Sequence, residues 1–287
     1  MSVKKVTVIG SGIMGSGIAH VSALAGFDTI LYDISKEALN KAVESITKNL
    51  DKGIEIGKMT ADEKAATLKR LAINDDLVSS VRDADFVIEA APDKMDLKIK
   101  RFSTLDTTCK PETVFATNTS SLSITEIAAV TGRPQKCIGM HFFNPVHKMK
   151  LVEIIKALET DEQTIRITQE VSKKMGKEIV TIRESPGFIT SRINAMIGNE
   201  VFYMLQEGVA SAKDIDTALK LGLNHPMGPF EMVDLVGLDT RLSILEYLHK
   251  SLGEKYKPCP LMVQYVKAGR LGRKAGKGVY EYTDQKK

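Results

Sequence analysis

Apolar and polar residues follow two rhythms along this chain, and the balance between them changes once. Through the first two thirds, short runs of β-branched and aromatic residues recur between longer stretches whose apolar positions return every three or four residues. The short runs predict strands over 6–9, 29–32, 71–73, 85–91, 114–117, 136–140, 151–155 and 178–182. The 85–91 run has a continuous apolar core, as expected of a strand covered on both faces. The periodic stretches predict helices between the strands, including a lysine-rich hairpin (36–52 and 61–71) turning at Gly53 to Gly57, and helices over 94–105 and 123–131. Thr60 with Glu63, and Ser123 with Glu126, have capping-box spacing. Beyond Glu184 only the helical rhythm remains, over 188–207, 211–221, 230–236 and 240–252, with Pro186 expected in the first helical turn.

The first strand runs directly into Gly10-Ser-Gly12-Ile-Met-Gly15 and then into a small-residue helix. In that context the glycines serve a dinucleotide: Gly10 for the tight turn, Gly12 for close approach of backbone to pyrophosphate, Gly15 for helix–strand packing. The helix N-terminus, with Ser11, Ile13 and Met14 around it, offers N–H groups to the phosphates. Asp33, at the end of the second strand, is placed to bond an adenosine ribose, which favours NAD over NADP because a 2′-phosphate would meet a like charge. Alternating strands and helices behind this turn imply an α/β fold. A Rossmann-type, mostly parallel sheet domain is expected over 1–183 with the hairpin (about 36–71) inserted, followed by an all-helical domain over 184–287.

Composition narrows the partners. Forty basic against thirty-six acidic residues leave a net charge of only +4, without a dense basic run, so nucleic acid is not expected as a partner. No apolar run is long enough to span a bilayer, and Cys109, Cys137 and Cys259 are few, odd in number and without metal-like spacing. A cytoplasmic protein with reduced thiols, no membrane and no metal is the expectation.

By the rule for open sheets, loops at the carboxyl ends of strands build the site. Three such places carry polar residues: Asn118 to Ser121 with Ser120, His141 with Asn144, and Glu153 on the following strand. A histidine oriented by a carboxylate can take a proton from a hydroxyl while a hydride leaves the same carbon. Ser120 could hold the oxygen as it changes between alkoxide and carbonyl. Spacing alone does not bring His141 to Glu153.

The segments Asn118-Thr-Ser-Ser-Leu122, His141-Phe-Phe-Asn-Pro-Val146, Met149-Lys-Leu-Val-Glu153, Pro186-Gly-Phe188 and His225-Pro-Met-Gly-Pro229 closely resemble the short-chain L-3-hydroxyacyl-CoA dehydrogenases, most of all the bacterial 3-hydroxybutyryl-CoA members. The resemblance covers nearly the whole chain. It implies His141 as catalytic acid and base, Glu153 as its partner, and Ser120 touching both substrate and nicotinamide. It further implies Asn144, Asp93, Lys98 and Lys274 as NAD contacts, a homodimer formed through the helical domain, and a hairpin that holds the CoA tail of an acyl-CoA substrate. Three positions depart from the family pattern. Ser191 stands where an asparagine usually binds the substrate oxygen, with Asn194 on nearly the same helix face. Ile56 stands where a CoA-contacting lysine is usual, flanked by Lys52 and Lys58. His147 replaces a common proline. The activity implied is NAD-dependent interconversion of (S)-3-hydroxybutyryl-CoA and acetoacetyl-CoA. A dehydrogenase of longer or dicarboxylic 3-hydroxyacyl-CoA, or an impaired NAD-binding dimer, are the other readings.

Overall fold

Valines and isoleucines with no exposed surface define the middle of an eight-stranded sheet in a computed structural model that describes residues 2–282. The strands are β1 (Lys5–Ile9), β2 (Asp28–Tyr32), β3 (Leu71–Asn74), β4 (Phe86–Glu89), β5 (Val114–Thr117), β6 (Cys137–Phe142), β7 (Leu151–Lys156) and β8 (Glu178–Arg183). Their order is β3-β2-β1-β4-β5-β6-β7-β8, and every pairing is parallel except β6 with β7. The side-chain period of two distributes each strand over two cores. Val6, Val8, Phe86 and Ile88 face one core, while Ile9, Val87 and Phe115 face the other with Phe102 and Leu105.

The covering helices are α1 (Ile13–Leu24), α2 (Lys36–Glu55), α3 (Ala61–Lys69), α4 (Leu77–Val81), α5 (Met95–Thr108), α6 (Ile124–Ala128) and α7 (Glu162–Lys174). α2 buries one stripe, Leu39, Ala42, Ile46 and Leu50, and keeps its lysines outside. Each such aliphatic side chain is worth about 1.5–3 kcal/mol when fully buried. The helix runs on through Gly53 to Glu55 with Ile56 as its C-cap, so the turn expected over Gly53 to Gly57 is confined to its far end: Gly57, at φ +69°, is the residue that leaves the helix. Thr60 and Glu63 form the full capping box. At α6 the box is only half made. Ser123 accepts from Glu126 N, while the carboxylate that bonds Ser123 Oγ (2.6 Å), Thr125 N and Thr125 Oγ1 is Glu184.

The chain divides into compact units at 1–185 and 186–287. The second is built of α8 (Thr190–Gln206), α9 (Ala212–Gly222), α10 (Pro229–Val236), α11 (Leu238–Leu252) and α12 (Pro260–Lys267). Its core includes Phe202, Phe230, Leu238, Leu245 and Tyr256. α8 starts later than its sequence signals imply, because Gly187 (φ +74°) and Phe188 (φ +52°) take left-handed backbone and hold Pro186 outside the helix. That conformation costs a residue with a Cβ about 1–2 kcal/mol, a cost offset by burial of the Phe188 ring. α12 has no counterpart among the elements expected from the sequence. Leu242 and Leu245 are core residues, whereas Leu235 is half exposed. No helix among the described residues is long and apolar enough to cross a membrane.

Candidate active site

The three glycines of the turn are glycine for different reasons. A Cβ on Gly15 would stand 1.7 Å from the Gly10 carbonyl oxygen, and Gly10 combines φ +100° with a 2.8 Å approach to Ala90 O. Both are required by the chain's own packing. At Gly12 a Cβ would meet nothing within 4 Å. Its smallness serves something outside the chain, and the space beside it is a cavity of about 780 Å³. The first-turn N–H groups of α1 have no intrahelical acceptors, and Gly12 provides no side-chain cap. A backbone nest of this kind with room above Gly12 fits a dinucleotide pyrophosphate.

Around the same cavity stand Asp33, Asp93, Ser120 and His141, together with Ser11, Ile13 and Met14 of the turn. Asp33 Oδ2 accepts from Ser11 N (2.8 Å) and Ser11 Oγ (2.9 Å), and Oδ1 accepts from Ser35 N. Partial burial works against its charge, but those hydrogen bonds, helped by Arg101, prevail and hold the carboxyl below its usual range. Arg101 also lines this cavity, with its guanidinium 5.7 Å from the Tyr32 ring centroid and a buried Nε that has no partner among the described residues. Sequence reasoning passed over it. The available signal was its position one turn beyond Lys98 on α5.

His141 and Glu153 come together through strand register. β6 continues to Phe142, so His141 lies within the strand and not after it, and the antiparallel hairpin sets it directly opposite Glu153. Nδ1 lies 2.7 Å from Glu153 Oε2, with both side chains almost wholly buried. A carboxylate only accepts, so pairing with an ionised Glu153 would place the proton on Nδ1 and leave Nε2 as the nitrogen able to exchange a proton with a substrate. Asn118 ties the neighbouring loop to this strand, its Oδ1 accepting from Phe142 N at 2.9 Å.

Of the other expected site residues in the first unit, Lys98, Asn144, Lys52 and Lys58 do not line this cavity. Lys98 is completely buried. Its ammonium bonds Glu89 Oε2 (2.7 Å) and Ala91 O (3.3 Å) and pairs with Asp93 Oδ1 (3.2 Å), which surrounds its three N–H groups with protein oxygens instead of presenting them to a dinucleotide. Asn144 is exposed on a neighbouring cavity of about 430 Å³, shared with Ser11, Gly12, Lys41, Asn49 and His147. Lys52 is exposed and paired with Glu55, and Lys58 is exposed. In the helical unit, Lys274 pairs with Asp239, while Asn194 shares a groove of about 370 Å³ with His225 that Ser191 does not line.

His147 stacks on His20, with ring centroids 5.7 Å apart. Burial, then the proximity of His147 and Lys177, pushes His20 down to about 4. Its folded value thus lies below the unfolded one, so the unfolded chain takes up the extra proton as pH falls, and stability is lost between about pH 6.5 and 4. About 2 kcal/mol should disappear between pH 7 and pH 5. Chemical unfolding of wild type and His20→Gln at both pH values tests this. The pH-dependent loss should shrink by that amount in the variant, and an unchanged difference would reject it.

Hydride transfer needs a dinucleotide cradle and a group able to transfer a proton in one cavity, and the carboxyl edge of this sheet brings the glycine turn and His141 to one cavity, the arrangement expected of a nicotinamide-dependent dehydrogenase. More narrowly, the chain belongs to the 3-hydroxyacyl-CoA dehydrogenase family: residues 5–185 match its NAD binding domain and residues 187–282 its C-terminal domain. A probable 3-hydroxybutyryl-CoA dehydrogenase of Bacillus subtilis is 48% identical over 99% of both chains. A 3-hydroxyadipyl-CoA dehydrogenase of Escherichia coli is 40% identical over 100% of this chain and 60% of that protein. The crystal structure of (S)-3-hydroxybutyryl-CoA dehydrogenase from Ralstonia eutropha superposes with a TM-score of 0.96 at 43% identity, covering 99% of this chain and 100% of that one. The protein is an NAD-dependent oxidoreductase.

Proposed function

We propose that the protein interconverts (S)-3-hydroxybutyryl-CoA and acetoacetyl-CoA. The observation that carries the chemistry is the 2.7 Å contact of His141 Nδ1 with Glu153, with His141 on the wall of the cavity beside the glycine turn. The likeness to the 3-hydroxybutyryl-CoA enzymes supports the choice of substrate. In the oxidative direction His141 Nε2 takes the proton of the 3-hydroxyl as the C3–H bond breaks and the C=O bond forms. NAD, when bound at the glycine turn, would supply the acceptor for the hydride. Glu153 stabilises the resulting imidazolium. Ser120 Oγ hydrogen-bonds the substrate oxygen, with Ser191 and Asn194 as further contacts to it.

The hairpin lysines Lys52 and Lys58 bind the anionic CoA tail in this reading, and Asn144 and Lys274 assist NAD. A homodimer is supported by exposed apolar side chains of the helical unit, among them Leu221 (82% exposed) and Leu223 (67%). Three buried thiols suit a cytoplasmic enzyme. Steady-state kcat/KM for NADH-dependent reduction should be highest with acetoacetyl-CoA and fall about tenfold or more by the eight-carbon 3-oxoacyl-CoA. A maximum at longer chains or at 3-oxoadipyl-CoA would move the assignment to the corresponding substrate class.

A further inference from the structure

A continuous run of charged groups leads from the interior of the sheet to the cavity wall. Its innermost member, Glu89, has no part in the chemistry above. Glu89 ends β4 with no exposed surface. Its Oε1 accepts from Ala91 N (2.7 Å), and its Oε2 accepts from Thr117 Oγ1 (2.7 Å) and Lys98 Nζ (2.7 Å). Lys98, equally buried, reaches on to Asp93 Oδ1. The other oxygen of Asp93 accepts from both Ser120 N and Ser120 Oγ at 3.2 Å.

A buried ion pair is poor evidence for stability, because apolar residues of similar volume often serve as well or better. What distinguishes this pair is where its ends lie. Through Thr117, and through its own carbonyl oxygen on Asn118 N (2.7 Å), Glu89 grips the start of the loop that carries Ser120. Through Lys98 and Asp93 it grips Ser120 itself. Asp93 is one-third exposed, and the buried Lys98 ammonium pairs with its carboxylate from the inner side. We infer that Glu89 is a positioning residue for the reaction, acting through Lys98 and Asp93 to set Ser120 against the substrate oxygen. This rests on the reading of Ser120 given above.

A displacement of about 1 Å at a reacting group can cost up to two orders of magnitude. Glu89→Gln keeps the shape and removes the charge, and it should lower kcat about tenfold while KM for NADH stays within threefold. In a Ser120→Ala background, itself slower than wild type, Glu89→Gln should cost less than twofold more, since the group it positions is gone. Glu89→Gln/Lys98→Met removes both buried charges. Its thermal midpoint should return toward wild type while its kcat stays low, which also keeps the test readable if the single variant folds poorly. Retention of kcat in Glu89→Gln, full multiplication of the two losses, or recovery of kcat together with the thermal midpoint in the charge-free variant would each overturn the inference. An unchanged kcat in Ser120→Ala would overturn the reading of Ser120 and the inference with it.

Discussion

His141→Ala should lower kcat for NADH-dependent acetoacetyl-CoA reduction by about three orders of magnitude, with NADH affinity within twofold of wild type. The expectation follows from what the imidazole supplies. General acid–base catalysis by a positioned side chain is worth about 10²- to 10⁴-fold, and among the described residues His141 is the histidine that lines the 780 Å³ cavity. Glu153→Gln probes the same pair from behind. Glutamine has nearly the size of glutamate but carries no charge, so the strand hairpin should stay packed while the imidazolium that the proposed oxidation forms would lose its buried counter-charge. An amide that turns its N–H₂ toward Nδ1 would also favour the wrong tautomer. A loss of about two orders of magnitude in kcat is expected, in line with the cost of losing partners that orient a histidine. Steady-state kinetics beside NADH fluorescence titration separates the steps, and a kcat within threefold of wild type in either variant would remove the pair from the mechanism.

Asp33→Ser should shift the ratio of kcat/KM for NADPH to that for NADH by about two orders of magnitude toward NADPH. The carboxylate is held in its charged form by Ser11 and Ser35, so a 2′-phosphate placed against it would meet a like charge that cannot readily be neutralised. Juxtaposing like charges costs several kcal/mol, and each 1.4 kcal/mol is a tenfold change. Removing the acid also leaves Arg101 in the same cavity with a buried Nε, and an arginine is well shaped for phosphate. Asp33 supports the turn through Ser11 N, so part of the NADH efficiency will fall for structural reasons. The ratio of the two cofactors cancels that part. If the variant loses both cofactors equally, Asp33 acts as a support for the turn and not as the selector.

Much of the molecule was legible from neighbours along the chain. The glycine turn could be read because each glycine answers a constraint within a few residues or at a ligand. The Thr60–Glu63 box was legible because a cap is a local hydrogen-bond circuit, and the α2 stripe because helical period alone places Leu39, Ala42, Ile46 and Leu50 on one face. The same logic misread Ser123 and Glu126, where a carboxylate sixty-one residues from Ser123 supplied the stronger partner. It also misread Pro186, whose position depends on a left-handed Phe188 that only burial of the ring sustains.

By itself the sequence determined the class of fold, the dinucleotide turn, the acid that closes β2 and the residue types required for hydride transfer. All of these rest on periodicity, backbone freedom and chemistry that act over short separations. Only the tertiary structure decided that His141 faces Glu153, because that contact depends on one antiparallel pairing in an otherwise parallel sheet, and a slip of one residue would turn every side chain to the other face. It also decided that Lys98 belongs to Glu89 and Asp93. A long cationic side chain reads as a ligand contact until packing removes it from water, and once buried its charge requires protein partners that no local pattern announces.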